Sequence, residues 1–160
     1  MKLIPPTQDH LATLMTWFPT MEALTLWSGP NFRIPFTTDS FVEDLKLDSI
    51  ASYSLIQDKK FIGFGQYYER LGHIHLARLI INPQFRGRGH INALVNGLIA
   101  LGKDKLALDK ASLFVMTDNP PAVSAYQKLG FVHTVYPESM PMVNIHYMTK
   151  SINAHIEKTI

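Results

Sequence analysis

A short cationic loop in the middle of the chain has the residue types that bind phosphate. It runs from Gln84 to Gly89 and reads Q-F-R-G-R-G. Its two glycines let the backbone turn sharply and approach a ligand closely, and its two arginines add positive charge. An apolar run ends at Asn82-Pro83 and apolar residues at helical spacing begin at Ile91, which predicts a strand, a tight loop and a helix. Because amides at the start of a helix favour an anion, the loop is predicted to bind a diphosphate.

Tyrosine and histidine side chains supply the other candidates for chemistry. Tyr126 lies on a predicted amphipathic helix that Asn119 caps, where it is either a packed aromatic residue or a proton donor. His73 and His75 lie on one face of a predicted strand. Two such imidazoles can bind a metal, but no third ligand is evident nearby, so no metal is expected.

The composition excludes several classes of protein. The chain has 160 residues and a mass of 18.1 kDa, which favours one domain over residues 1–160. Its net charge of +2 is too small to indicate nucleic-acid binding. It has no cysteine, which excludes disulfides and thiolate chemistry. No apolar run is long enough to span a membrane, and no signal peptide is evident, so a cytoplasmic protein without membrane partners is expected.

Apolar runs and alternations predict seven strands, at residues 2–4, 52–57, 61–69, 73–81, 111–117, 131–135 and 143–149. Apolar residues at helical spacing, between capping and stop signals, predict five helices. These are a helix from Thr7 to Phe18, one over 21–26, one capped by Thr38, one over 91–101 that Gly102 stops, and one from Asn119 to Gly130. The order predicts an α/β protein with a mixed, mostly antiparallel sheet and helices on both faces. Residues 151–160 are expected to form a short helix or a frayed tail.

Two motifs in this order resemble those of the GNAT superfamily of acyl-coenzyme A N-acyltransferases. The first is the Gln/Arg-x-x-Gly-x-Gly/Ala loop at Gln84–Gly89, preceded by Arg78-Leu-Ile-Ile-Asn-Pro83. The second is an asparagine followed by a helix with alanine and tyrosine and then Gly-Phe, found here from Asn119 to Phe131. The resemblance covers about residues 51–149 well and the N-terminal helices loosely. It implies a GNAT-like sheet with a central splay between the fourth and fifth strands.

The resemblance also implies a co-substrate, acetyl-coenzyme A, and sites for it. Its diphosphate would lie on the amides of Arg86, Gly87, Arg88, Gly89 and His90, beside Gln84. Its pantetheine arm would pair with the backbone of Leu79, Ile80 and Ile81 as an added strand. Asn119 would help to hold the pantetheine or the catalytic loop, and Tyr126 would protonate the departing thiolate.

The resemblance says less about the residues that bind and deprotonate the amine acceptor. Family members often have glutamate where this chain has His75, so the catalytic base is either His75, Glu69 on the neighbouring strand, or no residue at all. Trp27 and Phe32 are most simply packing residues, but the family's acceptor wall lies in this region. The expected activity is transfer of an acetyl group to a small-molecule or peptide amine by direct attack in a ternary complex. The alternative is a non-catalytic acyl-coenzyme A sensor, and a monomer or homodimer is expected.

Overall fold

The computed structural model describes residues 1–152. The described chain forms seven strands: β1 Lys2–Ile4, β2 Ala51–Gln57, β3 Lys60–Arg70, β4 His73–Ile81, β5 Lys110–Met116, β6 Val132–His133 and β7 Ile145–Ser151. The helices are α1 Gln8–Met15, α2 Met21–Ser28, α3 Thr38–Leu45, α4 His90–Leu106 and α5 Pro120–Lys128. The prediction for the C-terminal tail lies mostly outside the described residues, and Ser151 ends β7.

The strands form one mixed sheet in the order β1-β2-β3-β4-β5-β7-β6. The register is antiparallel for β1 with β2, β2 with β3, β5 with β7, and β6 with β7. The parallel pair is β4 with β5, and its register runs only from Ile74 opposite Ala111 to Leu76 opposite Leu113. The predicted mixed, mostly antiparallel sheet, with its fourth and fifth strands paired at one end only, is confirmed.

Internal packing divides the chain into two compact units, and the single domain over residues 1–160 stays a prediction. The first unit contains residues 1–67 and 78–98. Its core is aromatic and aliphatic, with Leu14, Phe41, Leu45 and Phe64 fully buried. These residues come from α1, α3 and β3, so the N-terminal helices cover the face of β3 that carries Phe64.

The opposite face of β3 carries Gly63 and Gly65, because side chains alternate along a strand. A Cβ at Gly65 would lie 2.7 Å from Leu98 Cδ1 on α4 and 2.9 Å from Leu79 Cδ2. Glycine at this position therefore leaves room for the leucine side chains through which α4 packs closely on the sheet. The first unit thus has helices on both faces of its strands, as predicted.

Among the described residues, the second unit contains 68–77 and 99–152. Ile74, Leu113, Phe131 and Met148 are almost completely buried and belong to its apolar core. The helix α5 contacts β5. His75 faces away from Ile74 because adjacent strand residues point to opposite faces, so the second face of this unit is where the polar and aromatic side chains collect.

Several predicted element boundaries are wrong. Thr37, and not Thr38, is the N-cap of α3, because the Thr37 hydroxyl accepts the Ser40 amide at 3.0 Å and the Ser40 hydroxyl accepts the Thr37 amide at 2.8 Å. Gly102 does not end α4, which continues to Leu106. The strand predicted over residues 131–135 is reduced to the two residues of β6, which pair with β7 as expected. None of the helices within residues 1–152 is both long and apolar enough to cross a membrane.

Candidate active site

The predicted phosphate loop leads directly into α4. A short 3-10 turn at Pro83–Phe85 follows β4, and α4 begins at His90. Gly87 and Gly89 both have φ of +77°, a left-handed conformation that other residues adopt at a cost. A Cβ at either glycine would meet nothing within 4 Å. Glycine is therefore required here by the backbone turn, and the space in front of both residues is open to a ligand.

Hydrogen bonds between side chains and the backbone fix the base of this loop. Asn82 donates its side-chain amide to the Phe61 carbonyl at 3.0 Å and accepts the Gln84 amide at 3.1 Å. The guanidinium of Arg86 donates from Nε to the Ile81 carbonyl at 3.1 Å. The side chain of Arg86 thus braces the loop against the end of β4, while its own amide and those that follow lead to the N-terminus of α4.

Positive charge collects around one aromatic ring of the loop. The Phe85 ring has Arg88 Cζ 5.4 Å and Lys60 Nζ 5.9 Å from its centroid, and the His90 ring at 6.3 Å. The side chains of Arg88 and Lys60 are exposed. An anion at the start of α4 would therefore meet two cations as well as the helix dipole.

A left-handed residue interrupts β4 directly before the segment expected to bind pantetheine. Arg78 has φ of +49° although it is not glycine, and β4 continues from it through Leu79, Ile80 and Ile81. Such a residue stores backbone strain of roughly 1–3 kcal/mol and is common at functional sites. It lies just beyond Leu76, the last β4 residue in register with β5. The strained residue therefore marks the point where the parallel pairing ends.

The side chain of Arg78 holds this strained position. Its Nη1 donates to Gln66 Oε1 at 2.9 Å and its Nε to the Ser28 carbonyl at 3.1 Å. Its Cζ also lies 5.0 Å from the centroid of the Phe32 ring. Arg78 was seen in the sequence only as part of a motif. Its bridging role has no signal in the sequence, because the partners lie 50 and 12 positions away.

The two residues predicted for the acceptor wall are packed aromatics. Phe32 is 7% exposed and belongs to the core of the first unit. Trp27 is half-buried, with its ring 4.7 Å from Phe18 and 6.0 Å from Phe41. Its indole Nε1 is buried and finds no hydrogen-bond partner among residues 1–152. Packing is thus the observed role of both residues, and a substrate contact stays a prediction.

Asn119 and Tyr126 are placed on α5 as expected. Asn119 caps the helix by accepting the Ala122 amide at 3.4 Å, with Pro120 as the first helical residue. The Tyr126 ring packs at 6.1 Å from Phe131. The residue is only partly buried, but burial around its hydroxyl raises the pKa of Tyr126 from 10.0 to about 12. Tyr126 therefore keeps its proton throughout the physiological range.

His75 is a buried histidine and not a solvated one. It is 2% exposed, and its Nδ1 shares a hydrogen bond of 2.8 Å with the Ser112 hydroxyl. Burial, together with the positive charges of Arg70 and His73, lowers the pKa of His75 from 6.5 to about 3. The imidazole of His75 is therefore neutral at physiological pH, because the charged imidazolium is desolvated and repelled.

Glu69 lies at the end of β3 and is exposed. Its Oε2 accepts the Gly72 amide at 3.0 Å across the turn between β3 and β4. The turn itself has positive φ at Leu71 and Gly72, of 52° and 77°. The carboxylate thus closes a tight hairpin and keeps one oxygen available for other partners.

A cationic aromatic cluster surrounds His75 and was missed by sequence analysis. We name it the Arg70 cluster, and its members are Tyr68, Arg70, His75, Phe114, Tyr136 and Tyr147. The guanidinium of Arg70 donates from Nε to the Tyr136 hydroxyl and from Nη1 to the Tyr68 hydroxyl, both at 3.0 Å. Its Cζ lies 5.1 Å from the Phe114 centroid, and the His75 ring lies 4.9 Å from the same ring. Tyr68, Phe114 and Tyr147, the aromatic residues that β3, β5 and β7 contribute to the cluster, were the available signal.

The candidate residues therefore divide between the two units. The phosphate loop, Leu79 to Ile81, Trp27 and Phe32 belong to the first unit, and Glu69, His75, Asn119 and Tyr126 belong to the second. Within residues 1–152, no group of three histidine, aspartate or glutamate side chains is placed to hold a metal ion.

The glycine loop before α4, the helix α5 with its asparagine cap and tyrosine, and the partly paired parallel strands are the features implied by the two motifs. The model of the acetyltransferase (GNAT) family matches residues 21–131. This chain belongs to the GNAT family.

Relatives of this GNAT chain support the assignment. A proposed ribosomal protein bS18-alanine N-acetyltransferase of Bacillus subtilis (strain 168) is 30% identical over 101 residues, which are 62% of this chain. The match spans 66% of the length of that relative.

Solved structures share the GNAT fold at low sequence identity. The aminoglycoside acetyltransferase AAC(6')-Ib in complex with coenzyme A has a TM-score of 0.75 and 18% identity, with 99% of each chain covered. Spermidine N-acetyltransferase from Vibrio cholerae, in complex with coenzyme A and spermine, has a TM-score of 0.74 and 18% identity, with 97% of each chain covered. The fold of the whole described chain is therefore that of the GNAT acetyltransferases.

Proposed function

We propose that this protein is an N-acetyltransferase that transfers the acetyl group of acetyl-coenzyme A to a primary amine by direct attack in a ternary complex. Membership of the GNAT family supports this activity. The observation that carries the proposal is the loop with left-handed Gly87 and Gly89, which is open in front and leads into the N-terminus of α4. An anionic diphosphate fits such a loop by geometry and by charge.

The diphosphate and the pantetheine arm of the co-substrate each have a proposed partner. The amides from Arg86 to His90 bind the diphosphate, with Gln84 at the edge of the loop. The strand from Leu79 to Ile81 offers its backbone to the pantetheine amides beyond the end of the parallel pairing. Asn119 holds the start of α5, which carries Tyr126.

The proposed chemistry breaks one bond and forms one. Acetyl-coenzyme A supplies an acetyl thioester, whose carbonyl carbon bonds to the amine nitrogen while its carbon–sulfur bond breaks. Tyr126 donates its phenolic proton to the departing thiolate. The amine nitrogen gives up its proton to a base or to water. The raised pKa of Tyr126 keeps the phenol protonated before the reaction, which a general acid requires.

The structure favours Glu69 over His75 as the base. A pKa of about 3 makes His75 neutral but a very weak proton acceptor at neutral pH. Glu69 is exposed and its carboxylate keeps a free oxygen beside its turn hydrogen bond. We propose that His75 positions Ser112 and the surrounding rings, and that the amine loses its proton to Glu69 or arrives already neutral.

Thiol release with a panel of amines tests the proposal. The panel contains spermidine, an aminoglycoside, free amino acids and a peptide with an N-terminal alanine, and mass spectrometry identifies the acetylated product. The proposal expects acceptor-dependent thiol release and an acetylated amine for at least one class. Binding of acetyl-coenzyme A without transfer to any of these acceptors would favour the non-catalytic sensor instead.

A further inference from the structure

The Arg70 cluster contains a partly buried cation whose partners are all neutral. Within residues 1–152, the ion pairs join Arg33 to Glu43 and to Asp44, and no carboxylate lies within ion-pair distance of Arg70. Burial opposes the charge on Arg70, but hydrogen bonds to Tyr136 and Tyr68 outweigh it and keep the pKa of the guanidinium above its ordinary value. Arg70 is therefore a permanent positive charge.

The adjacent acidic residue does not neutralise this charge. Glu69 precedes Arg70 on β3, so its side chain points to the opposite face of the strand, where it accepts the Gly72 amide. The two hydrogen bonds to tyrosines use two of the five N–H groups that a guanidinium carries. The remaining N–H groups can donate to a planar anion, which a carboxylate matches best.

The surrounding side chains hold the guanidinium in a fixed orientation. Tyr136 is 9% exposed and Tyr147 is 4% exposed, and their rings lie 4.8 Å apart. Phe114 packs against Arg70, Tyr136 and His75. A cation fixed in this way loses little conformational entropy when it binds a ligand, which is typical of a recognition residue.

An open hollow of about 310 Å³ adjoins the cluster within the second unit. Tyr136 and Tyr147 form part of its wall, and His133 and His146, whose rings lie 4.6 Å apart, form another part. Such a volume accommodates a small ligand. Arg70 is connected to this wall by its hydrogen bond to the Tyr136 hydroxyl.

We propose that Arg70 binds a carboxylate of the acceptor, so that the acceptor is an amine that also carries a carboxylate, such as an amino acid or a short peptide with a free C-terminus. This inference rests on the proposed N-acetyltransferase activity and names its substrate class. A polycation such as spermidine would meet the fixed positive charge of Arg70, which forms no ion pair within residues 1–152. The similarity in fold to a spermidine N-acetyltransferase therefore does not extend to the acceptor.

Matched pairs of acceptors test this proposal. β-Alanine and glycylglycine are compared with β-alaninamide and glycylglycinamide, which have the same amine but no carboxylate, and spermidine is the cationic comparison. The kcat/KM of thiol release is measured for the wild type, Arg70→Gln and Lys110→Gln, the last of which removes an exposed charge of the same unit. The proposal expects the carboxylates to be preferred by the wild type and by Lys110→Gln. In Arg70→Gln this preference falls about tenfold to a hundredfold, the loss expected for one hydrogen-bonded charge pair.

A ratio between paired acceptors separates recognition from folding. If Arg70 is only structural, Arg70→Gln lowers kcat/KM equally for both members of a pair, and that result overturns the proposal. A preference of the wild type for the amides or for spermidine also overturns it. If Arg70→Gln does not fold, Arg70→Lys must keep part of the preference because it keeps the charge. If no acceptor is acetylated, that result contradicts the proposed N-acetyltransferase activity but not the carboxylate site. Calorimetric titration of β-alanine and β-alaninamide into the wild type and Arg70→Gln then decides the carboxylate site alone.

Discussion

Protonation of His75 should contribute to the destabilisation of this protein by acid. The imidazole is 2% exposed and is bonded to the Ser112 hydroxyl, so the folded state accepts a proton there only near pH 3. In the unfolded chain the same imidazole has a pKa of 6.5. Below that value the unfolded state binds a proton that the folded state does not, so the free energy of unfolding falls as the pH falls.

The magnitude follows from the two pKa values. Each pH unit between them is worth about 1.4 kcal/mol once the unfolded imidazole is fully protonated. From about pH 7 to about pH 5, His75 should therefore remove about 2 kcal/mol from the free energy of unfolding. A small protein has only about 5–15 kcal/mol of stability in total, so the loss is large enough to measure. The loss from this residue should be complete near pH 3.

Denaturant unfolding of the wild type and His75→Gln over this pH range is the assay. Glutamine does not titrate, so the difference between the two proteins isolates His75 from every other group, including His10, whose pKa is also lowered. The wild type should lose about 2 kcal/mol more than the variant between about pH 7 and about pH 5. His133→Gln, at an exposed position, is the control and should follow the wild type. Parallel curves for the wild type and His75→Gln would show that His75 is not desolvated as described.

Three further outcomes follow from the site. Tyr126→Phe should lower kcat roughly a hundredfold to ten-thousandfold and change the affinity for acetyl-coenzyme A little, because only the donated proton is lost; a kcat that is unchanged while chemistry limits the rate removes Tyr126 from the acid role. Between about pH 6 and about pH 8, His75→Ala should keep kcat and the shape of the wild-type pH–rate curve, whereas Glu69→Gln should lower kcat; the reverse pattern returns the base to His75. Gly63→Ala should lower the free energy of unfolding by about 2–3 kcal/mol, because its Cβ would lie 2.9 Å from a backbone oxygen of β4. Gly65→Ala should lower it less, because its Cβ would meet only the ends of side chains. Equal losses in denaturant unfolding would contradict this account of the packing.

Local chemical signals in the sequence predicted the elements that carry the candidate site. The pattern around Gly87 and Gly89 predicted a strand, a loop and a helix, because glycines with left-handed φ and an apolar periodicity that begins after them are local features. Asn119 before Pro120 similarly predicted the start of α5. Gly102 wrongly predicted the end of α4, which continues to Leu106. A glycine inside a helix lowers the stability of the helix by only about 1 kcal/mol, and the packing of α4 overcomes this loss.

Features that depend on distant contacts could not be predicted. The burial of His75 depends on rings from Tyr68 and Phe114, and its lowered pKa on Arg70 and His73. A histidine in a strand has an ordinary pKa until such neighbours are known. The bridging contacts of Arg78 were hidden for the same reason.

Binding of acetyl-coenzyme A to the loop before α4 is the central claim, and calorimetric titration tests it most directly. The titration compares the wild type, Gly87→Glu and Gly29→Glu. Gly29 is the matched control because it also belongs to the first unit, has φ of +80° and has nothing within 4 Å of an added Cβ. Both variants add a carboxylate at a glycine of positive φ with open space in front of it, but only Gly87→Glu places the charge against the diphosphate. The account predicts saturable binding to the wild type and to Gly29→Glu, and binding that is lost or at least tenfold weaker in Gly87→Glu. No binding to the wild type, or equal affinity in all three proteins, would contradict it.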